Sequence, residues 1–160
     1  MIKIKLSGGG VMLTLLLKNG FKRAEWTLKH RYFKAQGKNC YFNIVNFNTE
    51  PYLISFGDNV SVATGVKFIT HDVTHFVFSN MEPTFNWKGR TGEIRVGSNV
   101  FIGANAIILY DVTIGDNVII AAGAVVTNDI PSGTIYGGVP ARKIGQFNEY
   151  MKKAKEHQFG

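Results

Sequence analysis

The chain has 160 residues, 45% of them hydrophobic, which suits one compact domain with a core of its own. Its formal net charge of +7 is concentrated at one end. Residues 1–40 hold nine Lys/Arg against Glu25 alone, while residues 41–160 are close to neutral. No nucleic-acid motif or aromatic-interleaved basic stripe accompanies that charge, which argues against DNA or RNA as a partner.

The longest apolar run near the start, Val11 to Leu17, is too short to span a bilayer and lacks a small-residue cleavage site. The basic N-terminus is suited at most to weak contact with an acidic membrane surface, or to a solvated face. Asn19 is a natural N-cap for a helix reaching about Ala35, with Gly37 closing it and Leu28, Tyr32, Phe33 and Trp26 giving its apolar stripe. Residues 1–40 are thus expected to form a basic helical cap. Cys40 is the only cysteine, which excludes an intrachain disulfide and fits a cytoplasmic location.

From Ile54 onward the pattern changes to a fixed period of six. Val96, Ile102, Ile108, Ile114, Ile120 and Val126 are spaced six apart, and an apolar residue stands two places before each. Three places after each come Asn99, Asn105, Asp111, Asn117, Gly123 and Asp129, residue types that tolerate the left-handed backbone region or close turns with their side chains. Phe56, Val62 and Phe68 repeat the pattern earlier. An antiparallel sheet would vary its turn spacing, so the period predicts a parallel β-helix of short strands and corners. Three blocks make one coil, which stacks Val96 under Ile114, Ile102 under Ile120 and Ile108 under Val126.

The spacing from Phe68 to Val96 breaks the period, so a loop leaves the coil roughly over residues 70–92. It holds His71, Asp72, His75, Trp87, Lys88 and Arg90, with too many aromatic residues for a disordered linker. It is read as an ordered arm that packs on another coil or another subunit. His71 stands where the period breaks, and histidine suits general-base chemistry near neutral pH.

These motifs resemble the hexapeptide-repeat acyltransferases, in particular the sugar and capsular-polysaccharide O-acetyltransferases. The resemblance covers residues 54–72 and 99–145, including Ala121–Pro131 and Tyr136–Ile144. It implies a left-handed β-helix over residues 41–145 and acetyl-CoA as co-substrate. His71 would be the base that frees an acceptor hydroxyl for direct attack on the thioester. Asn46 to Tyr52 is similar to a segment of the polysaccharide enzymes. There Glu50 would orient His71 or bind a sugar hydroxyl, and Tyr52 would stack on a sugar ring, unless both merely shape the first coil. Asp72, Trp87 and Phe101 complete the candidate acceptor site, although many relatives carry tryptophan at the position of Phe101. By the same match, Ala104, Ala122, Thr127, Asn128, Arg142 and Lys143 would contact acetyl-CoA, with Arg142 and Lys143 near its phosphates.

The implied partners are a small-molecule or glycan acceptor and two further copies in a homotrimer. N-acetylation of an amino sugar, a zinc carbonic anhydrase and a non-catalytic scaffold are the alternatives within this fold. The zinc reading needs three ligands, and only His30, His71, His75 and His157 are present. No metal is expected. Residues 146–160 should form a short C-terminal helix with Phe147, Tyr150 or Met151 available for docking.

Overall fold

The computed structural model of the chain describes residues 19–43 and 50–157. Helix α1 (Gly20–Lys29) comes first, then strands β1 (Ala35–Gln36) and β2 (Tyr41–Phe42). A 3-10 turn at Pro51–Leu53 leads into β3 (Ile54–Phe56), β4 (Val60–Val62) and β5 (Lys67–Ile69). The arm follows as β6 (His71–Asp72), α2 (His75–Met81) and β7 (Arg90–Thr91). The coil resumes with β8 (Ile94–Val96), β9 (Val100–Ile102), β10 (Ile107–Leu109), β11 (Val112–Ile114), β12 (Val118–Ile120) and β13 (Val125–Val126). The chain ends in β14 (Thr134–Gly137), β15 (Arg142–Gln146) and α3 (Phe147–His157).

Every third strand of the solenoid stacks in parallel, giving three faces. Sheet A is β1-β3-β8-β11, sheet C is β5-β10-β13, and sheet B is β2-β4-β9-β12-β14 with β15 antiparallel at its edge. The predicted stacking is observed: Val96 pairs with Ile114, Ile102 with Ile120, and Ile108 with Val126. The three-residue strands of sheets A and B turn two residues inward and one outward, whereas β5 and β10 of sheet C turn only the middle one inward. All twelve inward residues of the 94–126 repeat are buried, and with Phe33, Phe42, Phe56 and Phe68 they fill the solenoid.

The corner between sheets A and B is the most regular part. Asn59, Asn99 and Asn117 occupy it with φ of 55°, 57° and 55°, as their side-chain type permits. Their amides form a ladder, Asn59 Nδ2 to Asn99 Oδ1 at 2.9 Å and Asn99 Nδ2 to Asn117 Oδ1 at 3.1 Å. The first pair is 40 residues apart in sequence and the second 18, so the inserted arm leaves the stacking register untouched. The coil closes beneath the arm where the Gly92 N–H donates to the Thr70 carbonyl at 2.9 Å.

Asp129 departs from the other corner residues. It is absent from the left-handed positions and instead accepts the Thr113 N–H at 2.7 Å through its carboxylate. The chain's beginning departs further. Asn19 caps α1 as expected, accepting the Phe21 N–H at 2.8 Å, but the helix ends at Lys29 and not near Ala35. Arg31 adopts φ of 49°, and Ala35 and Gln36 already pair with Ser55 and Phe56 in sheet A. The buried face of α1 is Gly20, Arg23, Ala24 and Thr27, not the expected aromatic stripe, and Leu28 is exposed. Small residues let the helix approach the solenoid, and Arg23 donates to the Phe42 carbonyl at 2.6 Å and to Asn43 Oδ1 at 2.9 Å. Of residues 146–160, expected to be helical, α3 spans Phe147–His157; Gln146 is the last residue of β15, and 158–160 lie outside the described residues. Among the described residues no helix is long and apolar enough to cross a membrane.

Candidate active site

The corner between sheets C and A carries the arm, and His71 stands at its root. Glu50 reaches this corner from just before the Pro51–Leu53 turn. Its Oε2 accepts the Thr70 hydroxyl at 2.6 Å and lies 2.9 Å from His71 Nδ1. Thr70 is fully buried, and its hydroxyl anchors the carboxylate to the coil. A carboxylate can only accept, so this contact places a proton on Nδ1, and in the neutral ring the lone pair is then on Nε2. The His71 side chain is 39% exposed. Of the two site roles open for Glu50, orienting His71 is the one its contacts support.

Asp72 is turned away from this pair. Its Oδ1 accepts the Thr74 N–H at 2.7 Å and the Thr74 hydroxyl at 2.6 Å, and its Oδ2 accepts the Tyr110 hydroxyl at 3.1 Å. The Thr74 hydrogen bonds in particular hold the Asp72 carboxyl below the usual carboxylate range. Donating to Asp72 pushes the Tyr110 hydroxyl up.

The arm is ordered, with α2 at its centre, a helix that its length and mixed pattern did not announce. Trp87 packs against Phe78 and Phe85 with ring centroids 5.1 and 4.6 Å away. Its Nε1, like His75 Nδ1, is buried without a hydrogen-bond partner among the described residues. Yet Val73, Phe76, Val77, Met81 and Phe85 are exposed, so much of the arm's apolar surface is not spent on a coil of its own chain.

The remaining candidates fall on other edges. Tyr52, on the 3-10 turn next to Glu50, is 62% exposed. Phe101 projects outward from sheet B, the face opposite the His71 corner, and does not meet His71 within one chain. It lines an open groove of about 470 Å³ with Ser61, Ile119, Phe147, Tyr150 and Met151. Ala104 and Ala122 stack at the corner between sheets B and C, where the Gly123 N–H donates to the Ala104 carbonyl at 2.8 Å. Nothing lies within 4 Å of where a Gly123 side chain would start, so an extended chain has room to lie there. Thr127 and Asn128 are exposed at the end of β13, on the same edge as His71 and two coils beyond it. Arg142 and Lys143 are exposed on β15. These donors and small residues are compatible with a long phosphate-bearing thioester across sheet C.

No three His, Cys, Asp or Glu side chains gather to hold a metal among the described residues. Asn46 to Thr49, the rest of the segment before Glu50, lies outside the described residues. Tyr110 was missed by sequence reasoning, although a signal exists. The residue before a corner is small or polar at Asp58, Thr64, Ser98, Ala104 and Asp116, and aromatic only at Tyr110 among the repeat blocks.

Residues 93–128 match the family described as "Bacterial transferase hexapeptide (six repeats)". The chain is 47% identical over 124 residues to "Protein CapG" of Staphylococcus aureus, covering 76% of this chain and 70% of that protein. It is 37% identical over 118 residues to galactoside O-acetyltransferase of Escherichia coli (strain K12), covering 72% of this chain but only 55% of that enzyme. Among solved structures, a maltose O-acetyltransferase from Clostridium difficile 630 superposes with a TM-score of 0.61 at 27% identity, covering 84% of this chain and 80% of that one. A galactoside acetyltransferase solved with coenzyme A superposes equally well, with a TM-score of 0.61 at 26% identity, covering 88% and 78%. The chain belongs to the hexapeptide-repeat acyltransferase family, whose membership implies the left-handed sense of the β-helix.

Proposed function

We propose that this chain is an acetyl-CoA-dependent O-acetyltransferase acting on a hydroxyl of a sugar or glycan. The observation that carries the reading is the His71–Glu50 pair at the corner where the solenoid opens. Glu50 holds Nδ1 protonated, so Nε2 takes the proton from the acceptor hydroxyl. The acceptor oxygen attacks the thioester carbonyl, and the departing thiolate recovers a proton from His71. Backbone N–H groups near the corner would stabilise the oxyanion.

On this reading the pantetheine arm of acetyl-CoA runs along the small-residue edge at Ala104 and Ala122. Thr127 and Asn128 meet it near the transfer site, and Arg142 and Lys143 receive its phosphates. Tyr52 and Trp87 border the acceptor on the His71 side. The exposed apolar arm docks on a neighbouring subunit of a homotrimer, and Phe101 enters an acceptor site shared between subunits. The helix α1 covers the open end of the solenoid, since a terminal coil needs its apolar layer hidden. The cytoplasm supplies acetyl-CoA and suits the lone thiol.

O-transfer is favoured over N-transfer because a galactoside O-acetyltransferase and a maltose O-acetyltransferase are among the relatives. The test is an acceptor screen with acetyl-CoA that reads thiol release. Release with neutral sugars or glycans is expected. Release only with amino sugars would replace O-transfer by N-transfer, and no release together with no acetyl-CoA binding by calorimetry would overturn the enzymatic reading.

A further inference from the structure

The His71 ribbon is too small to hold itself in place. Strands β6 and β7 pair antiparallel over two rungs only, His71 with Thr91 and Asp72 with Arg90. A two-stranded ribbon is marginal even at greater length, so its position must be set by something outside it. Adjacent residues of a strand project to opposite faces. His71 therefore faces Glu50, and Asp72 faces the other way with its cross-strand partner Arg90.

That second face is gripped by the next coil. Tyr110 donates its hydroxyl to Asp72 Oδ2 at 3.1 Å, and Arg90 Nη2 donates to Asp111 Oδ2 at 2.8 Å. The Arg90 guanidinium also lies 4.9 Å from the centre of the Tyr110 ring, within range of cation–π attraction. Gly92 makes the grip close: a side chain there would start 2.2 Å from Asp111 Oδ1. The pairing of Ile69 with Leu109 in sheet C brings Tyr110 directly over the point where the arm departs.

We infer that Tyr110, together with Arg90 and Asp111, is a latch that positions His71. Glu50 sets the ring's tautomer from one side of the ribbon, and the latch sets where the ribbon stands from the other. Asp72 then belongs to the latch, since its Oδ2 is taken by Tyr110 and its Oδ1 by Thr74 of the arm, and not to the acceptor contacts first expected of it. The inference builds on the reading of His71 as base. Losing the grip would shift Nε2 relative to the acceptor hydroxyl, and small misplacements of a reacting group are costly in rate.

The experiment compares Tyr110→Phe with the unaltered chain and with His71→Ala. Phenylalanine keeps the ring under Arg90 and deletes only the hydroxyl, so the fold should persist. Protein carrying ¹⁵N-labelled histidine gives imidazole signals, those of His71 being the ones absent in His71→Ala. In Tyr110→Phe these signals should move, and kcat should fall about tenfold while KM for acetyl-CoA holds. If His71→Ala abolishes transfer, unmoved imidazole signals or an unchanged kcat in Tyr110→Phe would overturn the latch. If His71→Ala keeps transfer, the base reading fails, and the imidazole signals alone decide the latch.

Discussion

Two corners of the same solenoid turn the chain in opposite styles. Between sheets A and B every rung repeats the last, as Gly57-Asp58-Asn59, Gly97-Ser98-Asn99 and Gly115-Asp116-Asn117. Each rung's backbone is tied to a side chain of the next, Asp58 N–H to Ser98 Oγ at 3.1 Å, Ser98 N–H to Asp116 Oδ1 at 2.6 Å and Asp116 N–H to Ser132 Oγ at 2.9 Å. Between sheets C and A no two rungs agree: Thr70 and His71 open the arm, Tyr110 and Asp111 grip it, and Thr127 and Asn128 stand exposed above. The first corner uses repetition to hold register. The second can vary because the first does that work, and variation at a fixed place is what a site of chemistry requires.

If the corners divide labour in this way, damage at each should read out differently. Glu50→Ala at the second corner should lower kcat by roughly a hundredfold with little change in unfolding midpoint, since it removes the ring's orientation and not the coil. Gly97→Ala at the first corner should do the reverse. Its side chain would start 2.4 Å from Asp116 Oδ1 and 2.8 Å from the Gly115 carbonyl carbon. A cost of about 1–3 kcal/mol in urea unfolding is expected, with kcat per folded molecule retained. Asn117→Ala should cost about 1–2 kcal/mol, because alanine must adopt a left-handed φ and the ladder to Asn99 is lost. The smallest effect is acid sensitivity of the arm. Asp72 is held below its ordinary range by Thr74, so it stabilises the arm above the unfolded carboxylate range of about 4 and loses that contribution as pH falls through its lower folded value. Trp87 emission in a Trp26→Phe background should shift in that acid window, and Asp72→Asn should flatten the change.

The same division explains what could be read from the sequence. The repeat was legible because inward residues recur every six places and Asn59, Asn99 and Asn117 mark the turns. His71 was legible as the point where recurrence fails. The pairing of His71 with Glu50 was open among several roles, since the two lie 21 residues apart and meet only through the turn at Pro51. The latch was not legible as a set: Tyr110 and Asp72 are 38 residues apart and meet between neighbouring coils. The length of α1 was overestimated because Tyr32 and Phe33 continue an apolar helical pattern. The backbone turns at Arg31 instead, which puts Phe33 into the solenoid core beside Phe42 and Phe56.

On the proposed function the interrupted corner performs acid–base chemistry through His71. The most direct test is the rate of acetyl transfer by His71→Ala on an acceptor from the screen, per mole of folded protein. A loss of roughly a hundredfold to ten-thousandfold, with the unfolding midpoint and acetyl-CoA binding retained, is the predicted result. Transfer at the rate of the unaltered chain would contradict it.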